Sequence, residues 1–176
     1  FEMIRYAFHF YLNGILGQLR QTGTNLIAVS YLLPSQIAFL GQGQAVGKIV
    51  LKITDSINDV LYPRISKSDS NVIQITCKSF RISSILLISS GLILAIIAKP
   101  LILILYGDPF RPTIEVVYYL LPGIIIIGAS STLISFFNGT GRANLIPRLQ
   151  FFPILIQILL TFQLTQIWGL FGSILS

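Results

Sequence analysis

The sequence predicts an all-α fold, a polytopic transmembrane helix bundle. Three observations carry that prediction. First, charged residues make up only 10% of the 176-residue chain and hydrophobic ones 53%, with a mean hydropathy of +0.80. Soluble domains carry roughly 25% charged residues. Second, the apolar residues gather in runs close to the ~20 residues that a helix needs to cross a bilayer. Third, the cations between those runs alternate in number from one connector to the next. The net charge of +6 is therefore a topology signal and no nucleic-acid partner is expected, because Lys and Arg of membrane proteins collect in cytoplasmic loops.

Five complete spans and the start of a sixth follow in order. The first covers about 4–32. It holds Arg20 and the polar run from Gln18 to Asn25, so it is no simple lipid-facing anchor, and Pro34 breaks it. The second covers about 37–62. Gly43 and Gly47 form a GxxxG, which lets a neighbouring helix approach closely, and Pro63 is expected to close the segment. The connector 63–81 is the most polar in the chain, with Arg64, Lys67, Lys78 and Arg81.

The third span covers about 82–98 and is expected to stop at Lys99-Pro100. Gly107-Asp108-Pro109 then reads as a turn, flanked by Tyr106 and Phe110 as interface aromatics. The fourth covers about 114–137, with Pro122-Gly123 inside it. Asn138-Gly139-Thr140 matches a glycosylation sequon but falls on the side predicted to be cytoplasmic. The fifth covers about 149–166 and Trp168 marks its interface, after which 169–176 opens a sixth. The whole is expected to be one membrane domain, 1–176. The opening FEMIRYAFHF has no signal-peptide pattern, and GLFGSILS ends inside an apolar run, so the chain reads as a fragment or one half of a longer protein.

Antiparallel spans place Arg5, Arg64, Lys67, Lys78, Arg81, Arg142 and Arg148 on one side, against Lys99 and Arg111 on the other. The richer side is cytoplasmic by the positive-inside rule, which makes this a multi-pass protein of the cell (inner, cytoplasmic) membrane. Three cations remain inside spans: Arg20, Lys48 and Lys52.

Lys48, Lys52, Asp55 and Asp59 recur at helical spacing and share one face of the second span. Intramembrane charges are costly and face a bundle interior or a watery cavity. Arg20 and Lys48 are each fourteen positions from Pro34, which puts both about 21 Å from that turn. Two cations at one depth call for water, a partner from elsewhere or an anionic ligand between them. A central cavity that attracts an anionic substrate follows, lined by the charges of these spans, with Arg20 and Lys48 the pair that lacks an acid at its own depth. A purely structural reading stands next to it, in which Asp55 and Asp59 neutralise the cations through long side chains and helix tilt. Lys52 and Asp55 are spaced for a local pair, and Asp59 is close enough to Pro63 to be interfacial. Asn13, Gln18, Gln21, Asn25, Gln42 and Gln44 fit either a sugar-sized polar path or interhelical hydrogen bonds.

Cys77 and His9 are each alone, so neither a disulfide within the chain nor a metal cluster is predicted. No phosphate-binding glycine loop and no Ser-His-Asp set occurs, and the short connectors speak against an enzyme.

DVLYPRISK (59–67), KPLILILYGDPFRPT (99–113), YLLPGIIIIGASSTLISFFNGTGRANL (119–145) and WGLFGS (168–173) stand in a fixed order. In that order the chain resembles the C-terminal half of the polysaccharide flippases of the multidrug/oligosaccharidyl-lipid/polysaccharide (MOP) exporter superfamily, from the seventh helix to the start of the twelfth. The resemblance implies one six-helix lobe of a two-lobe transporter working by alternating access. It implies as substrate an undecaprenyl-diphosphate-linked oligosaccharide, an O-antigen or exopolysaccharide repeat unit flipped to the outer leaflet. Membrane lipid and other polysaccharide assembly proteins are the further partners. No cofactor is implied, and coupling falls to a proton or sodium ion. On this mapping Arg20, Lys48 and Lys52 would hold the pyrophosphate, with Asp55 as charge partner or coupling-ion residue. The first span lacks the acid often seen midway along it in the family, having the Arg20–Asn25 polar run instead. The alternatives are a drug or small-molecule antiporter of the same superfamily, and a scaffold or polymerase subunit of a polysaccharide assembly complex. The first would favour acids over bases in the cavity, and a polymerase would need a large outer loop.

Overall fold

A computed structural model describes residues 2–67, 72–142 and 144–175. These form six α-helices with no strand among them: α1 (Glu2–Tyr31), α2 (Pro34–Lys67), α3 (Val72–Tyr106), α4 (Thr113–Gly139), α5 (Leu145–Trp168) and α6 (Leu170–Leu175). The all-α helix bundle is thus the observed fold. Helices α3, α4 and α5 are long and apolar enough to cross a membrane. Helices α1 and α2 have the length but carry the polar and charged residues singled out above.

The break between α1 and α2 has a local cause. Pro34 fits the first turn of a helix, where its missing N–H costs nothing, and it keeps Leu33 out of helical geometry. The Leu33 amide donates instead to Gln36 Oε1 at 3.1 Å, half of a capping box.

Two prolines expected to stop helices do not. Pro63 lies inside α2 and Pro100 inside α3. A proline inside a helix loses one hydrogen bond and costs about 3 kcal/mol. Around Pro100 packing offsets that cost: Ala98 and Ile102, two residues to either side, are both 0% exposed. The third helix therefore takes in part of the connector before the predicted span and the apolar stretch after it. At 35 residues it is about 52 Å long, well beyond the ~30 Å hydrocarbon core. The predicted turn at Gly107-Asp108-Pro109 is present. Gly107 adopts φ 79°, a left-handed conformation that favours glycine, and Asp108–Phe110 make a 3₁₀ turn.

The chain divides into two compact units, residues 38–139 and residues 1–37 with 140–176. In the unit 38–139, the core is built by Val46 and Val50 of α2, Leu87, Leu94, Ala98 and Ile102 of α3, and Ile114, Val117, Leu121 and Ile124 of α4. The GxxxG lies against α4. A Cβ on Gly43 would stand 2.6 Å from Val116 Cγ1, and one on Gly47 would run into Ile124 Cδ1. Gly43–Val116, Gly47–Ile124 and Leu51–Gly128 advance together along both chains, so α2 and α4 are parallel. Leu87–Gly128 and Gly91–Ile125 run oppositely, so α3 is antiparallel to α4. Helices α2, α3 and α4 therefore run up, down and up within this unit. Phe39, Tyr106 and Phe110 gather at one end, with Phe110 5.8 Å from Phe39 and 5.6 Å from Tyr106 between ring centroids.

In the other unit, α1 packs along α5. A Cβ on Gly23 would meet Ile158 at 3.5 Å, and Tyr31 meets Phe162 edge-on at 5.8 Å. Gln166 Nε2 donates to the Tyr31 hydroxyl at 3.0 Å. These pairs also advance together, so α1 and α5 are parallel. Gly169 turns the chain into α6.

Candidate functional site

The face of α2 that packs is decided by its small and apolar residues. Gly43, Val46, Gly47, Val50, Thr54 and Leu61 are all buried. At about 100° per residue, Lys48, Lys52, Asp55 and Asp59 span about 60° of arc on the opposite side. All four are exposed. Within its own unit the charged stripe therefore points away from the α3–α4 core. The close approach at Gly43 and Gly47 fixes the rotation of α2, and that rotation aims the stripe.

Lys48 and Lys52 occupy one part of the stripe, Asp55 and Asp59 the part nearer the C-terminal end of α2. Lys52 and Asp55 are one turn apart, yet no ion pair joins them among the described residues. The local pair expected from their spacing is absent from this structure because both side chains are turned out of the core, where nothing holds them together. Arg20 is set differently. It is half-buried on the side of α1 that also carries Asn13, Gly23 and Thr24, the side that packs on α5 at Gly23. Its carbonyl accepts a hydrogen bond from Thr24 Oγ1 at 2.9 Å. Both side-chain polar atoms of Asn13 are buried and unpartnered. Gln18, Gln21 and Asn25 are exposed, and Gln42 and Gln44 are half-buried.

Arg20 belongs to one unit and Lys48, Lys52 and Asp55 to the other. The side chains of Arg5, His9, Arg64 and Lys67, and the connector 68–71, lie outside the described residues. Glu115, Asp108 and Arg111 are exposed around the α3–α4 turn. Among the described residues no group of three or more His, Cys, Asp or Glu is placed to hold a metal, and Cys77 is an exposed free thiol.

One polar contact went unread in the sequence. Asn58 Nδ2 donates to Ser131 Oγ at 2.9 Å, tying α2 to α4 across 73 positions. Its only signal was an Asn on the packing side of α2 at helical spacing from Gly47, Leu51 and Thr54.

Residues 1–115 match the model of a family described as polysaccharide biosynthesis protein. The match runs through α1, α2 and α3 into α4, and contains Arg20, Lys48, Lys52 and Asp55. No curated protein and no solved structure matches the chain.

Proposed function

We propose, from the premise that this chain belongs to the polysaccharide biosynthesis protein family, that it is one lobe of a flippase for lipid-linked oligosaccharides. It moves undecaprenyl-diphosphate-linked repeat units across the cytoplasmic membrane by alternating access during surface polysaccharide assembly. The observation that carries this reading is the exposed Lys48–Lys52 end of the stripe on a long, polar helix turned away from its unit's core. Two ammonium groups one turn apart suit a diphosphate, whose oxygens accept from both. Membrane-embedded cations without a bonded acid gain most from an anionic ligand, because the alternative is a charge left poorly solvated.

Arg20, in the other unit, is a further cation inside a long helix, and its guanidinium suits a phosphate or an acidic sugar. Asp55 lies beside the cations and moderates their charge. No chemistry on the substrate is needed; binding on one side and release on the other suffice, with a proton or sodium gradient as the drive. A drug antiporter is the weaker reading: it calls for acids to dominate, whereas here Arg20, Lys48 and Lys52 stand against Asp55 and Asp59.

The test is Lys48→Ala and Arg20→Ala in the full-length protein, with surface polysaccharide measured at matched expression. A charge-assisted hydrogen bond contributes about 1.5–3 kcal/mol, so each variant should lower transport on the order of 10–100-fold. Normal polysaccharide in both variants removes the anion-cavity reading. Loss of drug resistance with polysaccharide intact transfers the assignment to the antiporter.

A further inference from the structure

Hydroxyls inside membrane helices usually bond back to the carbonyl one turn earlier, which removes their need for any other partner. This chain does so repeatedly. Ser30 bonds Leu26 at 2.8 Å, Ser56 bonds Lys52 at 3.0 Å, Thr76 bonds Val72 at 2.8 Å and Ser130 bonds Ile126 at 2.8 Å. Four hydroxyls in the unit 38–139 break the habit: Thr113, the first residue of α4, and three that lie further inside their helices. Thr54 is 1% exposed, and Ser83 and Thr132 are 0% exposed. The oxygen of each is buried and has no hydrogen-bond partner.

These three sit at one level of the helix packing. Gly128 is covered by Leu51 of α2 and Leu87 of α3. One turn further along α2 is Thr54, one turn back along antiparallel α3 is Ser83, and one turn further along α4 is Thr132. At the same level Asn58 donates through Nδ2 to Ser131, which itself donates to the Gly128 carbonyl at 2.7 Å. That fixes the orientation of the Asn58 amide and leaves its Oδ1 as an acceptor, buried and unpartnered. Three separate helices thus present three hydroxyls and one amide oxygen to the same layer.

We propose that Thr54, Asn58, Ser83 and Thr132 form a binding site for buried water that bridges α2, α3 and α4. The donor set decides the ligand. Asn58 Oδ1 only accepts, while each hydroxyl both donates and accepts. A water donating to Asn58 Oδ1 and one hydroxyl, and accepting from the others, satisfies the layer with the 2–4 bonds typical of a buried water, about the number offered here. A bare cation fits poorly. All four groups are neutral, and the carboxylates of α2 lie on its opposite face, so the ion would be buried without a counter-charge. The site is separate from the charged stripe and independent of what the protein transports. It turns a polar layer that is costly when dry into a link among three helices.

The test is the thermal midpoint of the protein in lipid nanodiscs, for Thr54→Val, Ser83→Ala and Thr132→Val, with Ser130→Ala as control. Removing a group that holds water should lower the midpoint by about 2–4 °C in each of the three variants and leave the control unchanged. Sodium, lithium and potassium should leave the wild-type midpoint alike. Unchanged or raised midpoints in all three variants overturn the proposal, since deleting a dry unpartnered hydroxyl is neutral or stabilising. A midpoint raised by one cation in the wild type, and not in the variants, overturns it in favour of an ion. Radiolytic footprinting of the wild type gives a readout that needs no variant. Water in the layer should oxidise Leu87 although that side chain is 0% exposed, and an unlabelled Leu87 beside labelled surface leucines counts against the site.

Discussion

Replacing Gly43 and Gly47 separately by alanine should give opposite results, and in the order opposite to the contact distances. The added methyl at Gly47 comes closest to its neighbour, Ile124 Cδ1, but the next Ile124 atom is 3.7 Å away. Cδ1 is the free end of a side chain with a rotatable χ2, and it can swing aside for well under 1 kcal/mol. At Gly43 the methyl would stand 2.6 Å from Val116 Cγ1 and 3.2 Å from Val116 Cβ. Valine has one stiff torsion in a helix, and Cβ cannot move without the backbone. Overpacking of that kind costs about 1–3 kcal/mol. Both substitutions gain about 1 kcal/mol from the better helix propensity of alanine. Gly47→Ala should therefore be neutral or slightly stabilising, and Gly43→Ala destabilising by about 0–2 kcal/mol. The assay is survival of the monodisperse peak in size-exclusion chromatography after heating in detergent. Val116→Ala in the Gly43→Ala background should recover part of the loss, giving a favourable coupling in the double-mutant cycle. A larger loss for Gly47→Ala than for Gly43→Ala, or strict additivity with Val116→Ala, refutes the reasoning.

The Asn58–Ser131 bond predicts a second asymmetry. Asn58→Ala strands no charge but removes a buried interhelical link, and should cost about 1–2 kcal/mol in the same heating assay; Ser131→Ala should cost less, and the pair should be non-additive. A fully additive pair means the bond contributes nothing. Cys77, exposed near the start of α3, tests the orientation: a membrane-impermeant maleimide should label it in inverted vesicles and not in right-side-out ones. Labelling only in right-side-out vesicles reverses the assigned topology.

The helix bundle was legible because its signals are local and large. A deficit of charge, apolar runs of spanning length and Pro34 between two of them leave little room for another fold, and GxxxG named a close contact that α4 supplies. The prolines were misleading for a physical reason. Propensity marks Pro63 and Pro100 as stops, yet Ala98 and Ile102, on the face of α3 opposite the exposed Pro100, are fully buried in the core, and that tertiary contact overrides a local penalty. The charged stripe was legible as a stripe, since spacing alone puts Lys48, Lys52, Asp55 and Asp59 together. Its lack of a Lys52–Asp55 bond was not legible, because spacing permits a pair without requiring one. The layer of Thr54, Ser83 and Thr132 was invisible for another reason: its members lie on three helices, and each looks like an ordinary back-bonded hydroxyl until the packing register is known.

The packing side and the charged side of α2 are a single constraint seen twice. Each residue turns the helix by about 100°, so any rotation that relieves a clash at Gly43 swings Lys48 and Lys52 by the same angle. A rotation of only 20° moves a lysine ammonium, some 8 Å from the helix axis, by about 3 Å, as far as a hydrogen bond is long. The glycines are thus positioning residues for the cations on the far face, although they touch neither the cations nor a ligand. Gly43→Ala should accordingly impair transport beyond what its stability loss explains, and Val116→Ala should restore both together. A Gly43→Ala protein that keeps full transport at matched folded amount would show that the stripe tolerates re-aiming, and that the cations act as a diffuse positive field rather than as placed contacts.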